Sequence, residues 1–257
     1  MENRWFWDLH NTLETGTPHA DACAFNKYLA AKNIERRYTA EQIRAAGPTW
    51  SIRLKTLVPD LLVNDQAITD LREKQIAAIP KFCKATPGAV ETLRYIRSRG
   101  DVNAIVSWSR PTVLKAYMNA LGFAGYVNGG VFSVYDAMDE AKRAGTSISN
   151  DTDSVPFYKA RIMGRFLDDD VPIFTVGDME GDVEAGLMLE KERVAKGKTH
   201  PVTTMLFSPD DTSQKSKANH VIKILPEVVS IVYGDILNCV PRWCYASWYY
   251  KRVSGQQ

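Results

Sequence analysis

Residues 4–13 read Arg4-Trp5-Phe6-Trp7-Asp8-Leu9-His10-Asn11-Thr12-Leu13. An aromatic run enters Asp8, and the chain turns polar at once. A short apolar run of this kind reads as a strand buried on both faces. Asp8 then lies where the strand ends, with His10 and Thr12 in the turn that follows. In an α/β chain the carboxyl ends of the strands are the usual place for chemistry. The remaining sequence decides whether Asp8 has partners there.

Working outward, residues 102–107 (VNAIVS), 172–176 (PIFTV), 202–207 (VTTMLF) and 220–222 read as further strands. Helical patterns separate them. Residues 89–99 are amphipathic and close at Gly100. Ser109 can cap the next helix, with Pro111 near its start and Gly122 after its end. Residues 125–134 suit a short strand or an edge ribbon. A polar excursion over 136–155 holds a short helix at 137–143. Residues 157–167 are helical again, another helix begins near Glu180, and residues 191–200 read as a basic loop. A closing helix spans Pro226 to Tyr233. This alternation predicts a parallel sheet covered on both faces.

Residues 14–84 break the alternation and predict a small all-helical insert. Ala22, Phe25, Tyr28 and Leu29 share one face. Thr39 and Gln42 have capping-box spacing, and Gly47 closes that helix. Trp50 to Leu57 form another helix. Asn64 caps a longer one, striped by Ile68, Leu71, Gln75, Ile76 and Ile79 and ending at Pro80. The expected organisation is a core of 1–13 and 85–235, a helical module of 14–84, and a tail of 236–257.

The 257 residues are 45% hydrophobic and 24% charged, with net charge +2. That balance gives no strong nucleic-acid signal. No apolar run reaches ~18 residues, so no transmembrane segment is expected. The start enters a strand directly, which predicts no signal peptide. Cys23, Cys83, Cys239 and Cys244 form no C-x-x-C pair and read as reduced thiols of a cytoplasmic protein. The tail crowds Trp243, Tyr245, Trp248, Tyr249 and Tyr250 among Arg242, Lys251 and Arg252. It reads either as a helix docking on the core or as a contact surface for a partner, a membrane interface or single-stranded nucleic acid.

Three strands end in polar groups: Asp8, Ser107 and Asp178. Parallel strands bring those ends to one edge. Gly177-Asp178-Met179-Glu180-Gly181-Asp182 sets two acids four residues apart at a helix start, on roughly one side of its first turn. Each acid alone reads as a cap or turn residue. Together with Asp8 they form three carboxylates that repel one another unless a cation joins them. Hard oxygen ligands suit Mg2+.

These residues carry a family resemblance. Asp8-Leu9-His10-Asn11-Thr12-Leu13 resembles the first motif of the haloacid dehalogenase-like hydrolases, normally Asp-x-Asp-x-Thr. Ser107 after its strand is similar to their second motif, and Gly177-Asp178-x-x-x-Asp182 to their fourth. The stretch TPGAVETLRYIRSRGDVNAIVSWSRPTVLKAYMNALGF resembles the phosphoglycolate-phosphatase-like branch, whose helical cap lies between the first two motifs. The likeness covers roughly residues 4–233. It implies a Rossmann-like parallel sheet with helices on both faces and makes residues 14–84 the cap.

The resemblance also implies roles. Asp8 would attack a phosphoryl group and form an aspartyl-phosphate. Ser107 would hydrogen-bond the phosphoryl oxygens. Mg2+ would be held by Asp8, Asp178 and the His10 backbone carbonyl, with Asp182 supporting the site. A lysine must neutralise charge; Lys159 opens a helix 19 residues before Asp178, and Lys142 is the alternative. Two positions depart from the pattern. His10 replaces the aspartate that protonates the leaving group and then activates water; imidazole, with an unperturbed pKa of about 6.5, can do both. Trp108 follows Ser107 in place of the usual Asn, beside the phosphate, where it can wall the pocket or stack on a substrate ring.

The expected function is a Mg2+-dependent phosphatase acting on a small phosphorylated metabolite through Asp8. The alternative is a weak or inactive relative that uses the fold for binding, suggested by His10 and Trp108. Arg36, Arg37, Arg44, Trp50, Arg53 and Lys55 are the cap residues able to contact anionic or aromatic groups.

Overall fold

The structure, a computed structural model, describes residues 2–146, 154–209 and 216–234. The aromatic tail, Cys239 and Cys244 lie outside the described residues, as does part of the polar excursion. Among the described residues no helix is long and apolar enough to cross a membrane, and Cys23 and Cys83 are free thiols.

In chain order the described elements are β1 (Arg4–Trp7), β2 (Glu14–Thr15), α1 (Thr17–Ala31), α2 (Ala40–Ala45), α3 (Trp50–Leu57), α4 (Asp65–Phe82), β3 (Lys84–Ala85), α5 (Ala89–Ser98), β4 (Val102–Ser107), α6 (Pro111–Leu121), β5 (Val131–Ser133), α7 (Val134–Arg143), α8 (Val155–Gly164), β6 (Ile173–Gly177), α9 (Glu180–Ala195), β7 (Val202–Phe207), β8 (His220–Ile222) and α10 (Glu227–Tyr233). Six strands form one sheet in the order β5-β4-β1-β6-β7-β8. Each neighbouring pair is parallel. This is a Rossmann-like α/β sheet, and β1 sits inside it between β4 and β6.

The chain forms two compact units. Of the described residues, one unit contains those up to Leu13, Ala85–Arg110 and those from Phe123 onward; the other contains Glu14–Lys84 with Pro111–Gly122. Sequence reading put residues 111–122 in the core. Instead, α6 groups with α4 in the helical unit.

Strand pleating sorts the aromatic residues of β1 onto opposite faces of the sheet. Phe6 joins Ala104, Val106, Ala137, Tyr158, Ile162 and Leu189 in one apolar cluster, which brings α7, α8 and α9 to that face. Trp5 and Trp7 point the other way. Trp5 stacks on Phe174 at 4.3 Å between ring centres and on Tyr233 of α10 at 6.3 Å. Each buried indole N–H needs an acceptor. Trp5 Nε1 donates to Asp101 Oδ2 at 3.3 Å, and Trp7 Nε1 to Asn103 Oδ1 at 3.0 Å. Both acceptors come from the β4 segment, so these pairs link two adjacent strands through side chains as well as backbone.

The helical unit buries Phe25, Tyr28, Leu29, Ile43, Trp50, Leu54 and Leu71 together. Its caps follow local chemistry. Thr39 and Gln42 form a reciprocal capping box, and the Asn64 carboxamide accepts from Ala67 N at 2.9 Å. Pro80 does not end α4, which runs on to Phe82. A proline so near a helix end removes one N–H and breaks little of the ladder. Arg53 is not a free cap charge: it donates to Asp21 Oδ2 at 2.6 Å and to Gly47 O at 2.7 Å, and lies over Trp50.

The basic loop expected at 191–200 begins later than its composition suggests, because α9 continues to Ala195. Arg193 is fully buried. Its guanidinium donates to the carbonyls of His200 and Val171 and to Asp170 Oδ1. A buried cation needs such partners, and here they join the end of α9 to the segments flanking β6 and β7.

Candidate active site

Asp8 leaves the end of β1 while its backbone N–H still donates to Val176 O of β6 at 2.8 Å. Register holds the neighbouring strand ends level with it: Trp7 pairs with Ile105 and with Val176. Ser107, Asp8 and Asp178 therefore leave the same edge of three adjacent strands, with β1 in the middle.

Carboxylate oxygens of Asp8, Asp178 and Asp182 lie within 4.8 Å of one another. Among the described residues this is the single such cluster of metal-ligating side chains. Lys159 reaches it from α8. Its ammonium donates to Asp8 Oδ1 and to Asp182 Oδ1, both at 2.5 Å. The lysine is 7% exposed. Lys142, the alternative, is exposed in the last turn of α7.

One lysine does not balance three acids. Burial first, then Asp8 and Asp182, push the Asp178 carboxyl up to about 7, against relief from Lys159 and a hydrogen bond with Asn11. Burial likewise pushes Asp182 up, although Lys159 opposes it. For Lys159 burial disfavours the charge, but Asp182 and Asp8 outweigh it and hold the ammonium's pKa above its usual range. Desolvated carboxylates with unspent negative charge are a donor set that a hard divalent cation fits. Asp8, Asp178 and Asp182 could supply the side-chain oxygens for it.

Two backbone features make the cluster possible. Asn11 adopts φ 56°, a left-handed conformation that asparagine tolerates better than most residues. That turn carries its side chain to Asp178. Gly177 has no Cβ, and an added one would lie 2.3 Å from the Asp182 carboxylate carbon. Asp182 packs into that space and accepts from Met179 N at 3.2 Å. Asn11 had no place in the sequence reading beyond its position in the motif; its signal was an asparagine in a tight turn.

The end of β4 and the segment after it supply unpartnered polar atoms. Ser107 is fully buried, and its Oγ has no hydrogen-bond partner among the described residues. The same holds for Trp108 Nε1 and Arg110 Nε. Trp108 packs partly against the apolar cluster under the sheet, so its ring acts as a wall. The Arg110 guanidinium lies 4.0 Å from the centre of the Tyr135 ring. Buried hydroxyls and N–H groups left without a partner are costly.

His10 Nε2 lies 2.6 Å from Ser109 Oγ. The Ser109 carbonyl accepts from Ser133 Oγ at 2.7 Å. The sequence pattern marks Ser109 only as a helix cap.

No family model matches the chain. No curated protein matches it. Among solved structures, it is similar to a predicted phosphoglycolate phosphatase from Haemophilus somnus 129PT, with TM-score 0.59, 15% identity, and coverage of 90% of this chain and 97% of that one. A haloacid dehalogenase-like family hydrolase from Streptococcus pneumoniae gives TM-score 0.59 at 14% identity, covering 90% and 98%. A haloacid dehalogenase family hydrolase from Deinococcus radiodurans R1, solved with bound phosphate and sodium, gives 0.54 at 16%, covering 91% and 96%. The fold is therefore that of the haloacid dehalogenase-like hydrolases.

Proposed function

We propose that this chain, with the fold of the haloacid dehalogenase-like hydrolases, is a Mg2+-dependent phosphatase that hydrolyses a small phosphomonoester through an aspartyl-phosphate on Asp8. The observation that carries the proposal is the Lys159 ammonium bridging Asp8 and Asp182, beside Asp178 at one sheet edge. The orphan Ser107 Oγ on the next strand adds a phosphate donor.

Each residue has a task. An Asp8 carboxylate oxygen attacks phosphorus as the ester oxygen leaves, and water then hydrolyses the acyl phosphate. Lys159 holds the nucleophile in place and offsets charge on the incoming phosphoryl group. Ser107 Oγ donates to a phosphoryl oxygen, and Trp108 Nε1 is a second donor on the same segment. Asp178 and Asp182, with Asp8 and the His10 carbonyl, would hold Mg2+; when bound, it supplies charge neutralisation at the transferring group. His10 is the source of the proton that the leaving oxygen gains and the final acceptor of the one that water loses. Phosphoryl transfer depends mainly on such positioning and electrostatic stabilisation.

The second reading, a weak or inactive binding member, rests on His10 and Trp108 at positions where the motifs expect Asp and Asn. One experiment separates the two: hydrolysis of p-nitrophenyl phosphate with Mg2+ or with chelator, beside Asp8→Asn. Activity that needs Mg2+ and is lost in Asp8→Asn supports the phosphatase. Activity that survives either treatment sinks the mechanism, and none on a broad phosphate-ester panel favours the binding protein.

A further inference from the structure

We infer that Ser109 passes the proton between His10 and the leaving-group oxygen, so that the acid of this site is a His10–Ser109 pair. The inference rests on the phosphatase reading above. Three observations support it. Ser109 Oγ lies 2.6 Å from His10 Nε2, a short hydrogen bond that occupies this ring nitrogen. Ser109 stands two residues after Ser107, on the segment that carries the buried unpartnered donors Ser107 Oγ and Trp108 Nε1. Its backbone is held by Ser133, which is 2% exposed and whose Oγ also accepts from Tyr135 N at the start of α7. The hydroxyl thus sits on a braced segment, hydrogen-bonded to the imidazole and two residues along the chain from Ser107.

The step balances. As the P–O bond to the leaving group breaks and the Asp8–phosphorus bond forms, Ser109 O–H gives its proton to the departing oxygen. His10 Nε2–H gives its proton to Ser109 Oγ. The products are an alcohol, neutral His10, intact Ser109 and phospho-Asp8. In the second half, water gives a proton to Ser109 Oγ and Ser109 passes one to His10 Nε2, as the water oxygen attacks phosphorus and the phosphorus–Asp8 bond breaks, releasing phosphate and the Asp8 carboxylate. A hydroxyl can serve because it both donates and accepts. The arrangement explains how a bulkier imidazole can replace a carboxylate: the acid reaches the substrate through the serine.

The test uses leaving groups of different need. Phenolate leaves poorly without a proton, whereas p-nitrophenolate leaves readily. General acid–base assistance contributes ~10²–10⁴-fold. Ser109→Ala should therefore lower kcat for phenyl phosphate at least ~30-fold, and for p-nitrophenyl phosphate less than ~3-fold, with KM little changed. Ser109→Thr, which keeps the hydroxyl, should recover most of the loss, and its isostere Ser109→Val should not. In a His10→Ala background, Ser109→Ala should add little, because two members of one relay are not additive. Equal losses on both esters, failed rescue by threonine, or additive losses would overturn the relay while the phosphatase reading stood. If Ser109→Ala does not fold, the threonine–valine pair carries the same comparison. A wild-type protein inert on both esters would overturn the phosphatase reading and the relay with it.

Discussion

Replacing Lys159 with methionine removes the ammonium that bridges Asp8 and Asp182 and keeps the apolar stem. The ammonium makes two contacts of 2.5 Å, with 9% of its side chain exposed. At an effective dielectric constant near 20, each contact is worth about 6–7 kcal/mol of gross attraction. Desolvation cancels much of that, and breaking a buried pair typically costs about 3–5 kcal/mol. At roughly 2–4 °C per kcal/mol for a chain of this size, Tm should fall by about 6–20 °C. The pH dependence has a definite sign. Lys159 titrates above its usual range, so its stabilisation is complete below the unfolded lysine pKa and is lost only as pH rises through the folded value. At neutral pH the variant's deficit therefore comes from carboxylates left without a counterion. It should be greatest near pH 8 and shrink towards about pH 5, as they take up protons. Calorimetry of both proteins across that range, with chelator present, measures it. A deficit below ~1 kcal/mol near pH 8, or one that grows on acidification, would refute the reasoning.

Gly177→Ala introduces no charge, yet its Cβ would fall 2.3 Å from Asp182 Cγ and Oδ2. Because Asp182 is anchored by Lys159 and Met179 N, the clash should cost about 1–3 kcal/mol. It should also lower kcat by ~10²-fold through misplacement of the site. Gly125→Ala, where an added Cβ meets nothing, is the control. Asp178 is raised to about 7 by burial and then by Asp8 and Asp182. Its favourable contribution is complete below the unfolded carboxylate range and is lost as pH rises through about 7. Without metal, Asp178→Asn should therefore raise Tm near pH 8 by a few degrees and have less effect near pH 5. Saturating Mg2+ should reverse the order near pH 8 by stabilising the wild type. Thermal shift across pH, with chelator or Mg2+, checks both statements.

Much of the core was legible because its strands are short apolar runs with polar ends. Val102–Ser107, Val202–Phe207 and His220–Ile222 occupy the residues expected of them. Burial on both faces leaves little ambiguity in the first two runs, whereas His220–Ile222 is an edge strand with His220 and Val221 exposed. The two-residue strands β2 and β3 are too short to produce a periodicity. Arg193 misled because a charged side chain signals solvent until tertiary partners satisfy it. Spacing alone left Lys159 and Lys142 as alternatives, since both lie on helices and only packing decides which one turns inward. His10 was visible as an oddity in its motif. Its partner was not, because Ser109 stands 99 residues away and comes near only when β1 and β4 pair.

The central claim is that Asp8 becomes phosphorylated during turnover. It is tested most directly by quenching the Mg2+-loaded protein during hydrolysis of p-nitrophenyl phosphate, reducing with borohydride, and mapping the modified peptide by mass spectrometry. The account predicts a reduced side chain at position 8, dependent on substrate and absent from Asp8→Asn. Sustained turnover with position 8 unmodified, or with the label on another residue, would contradict it.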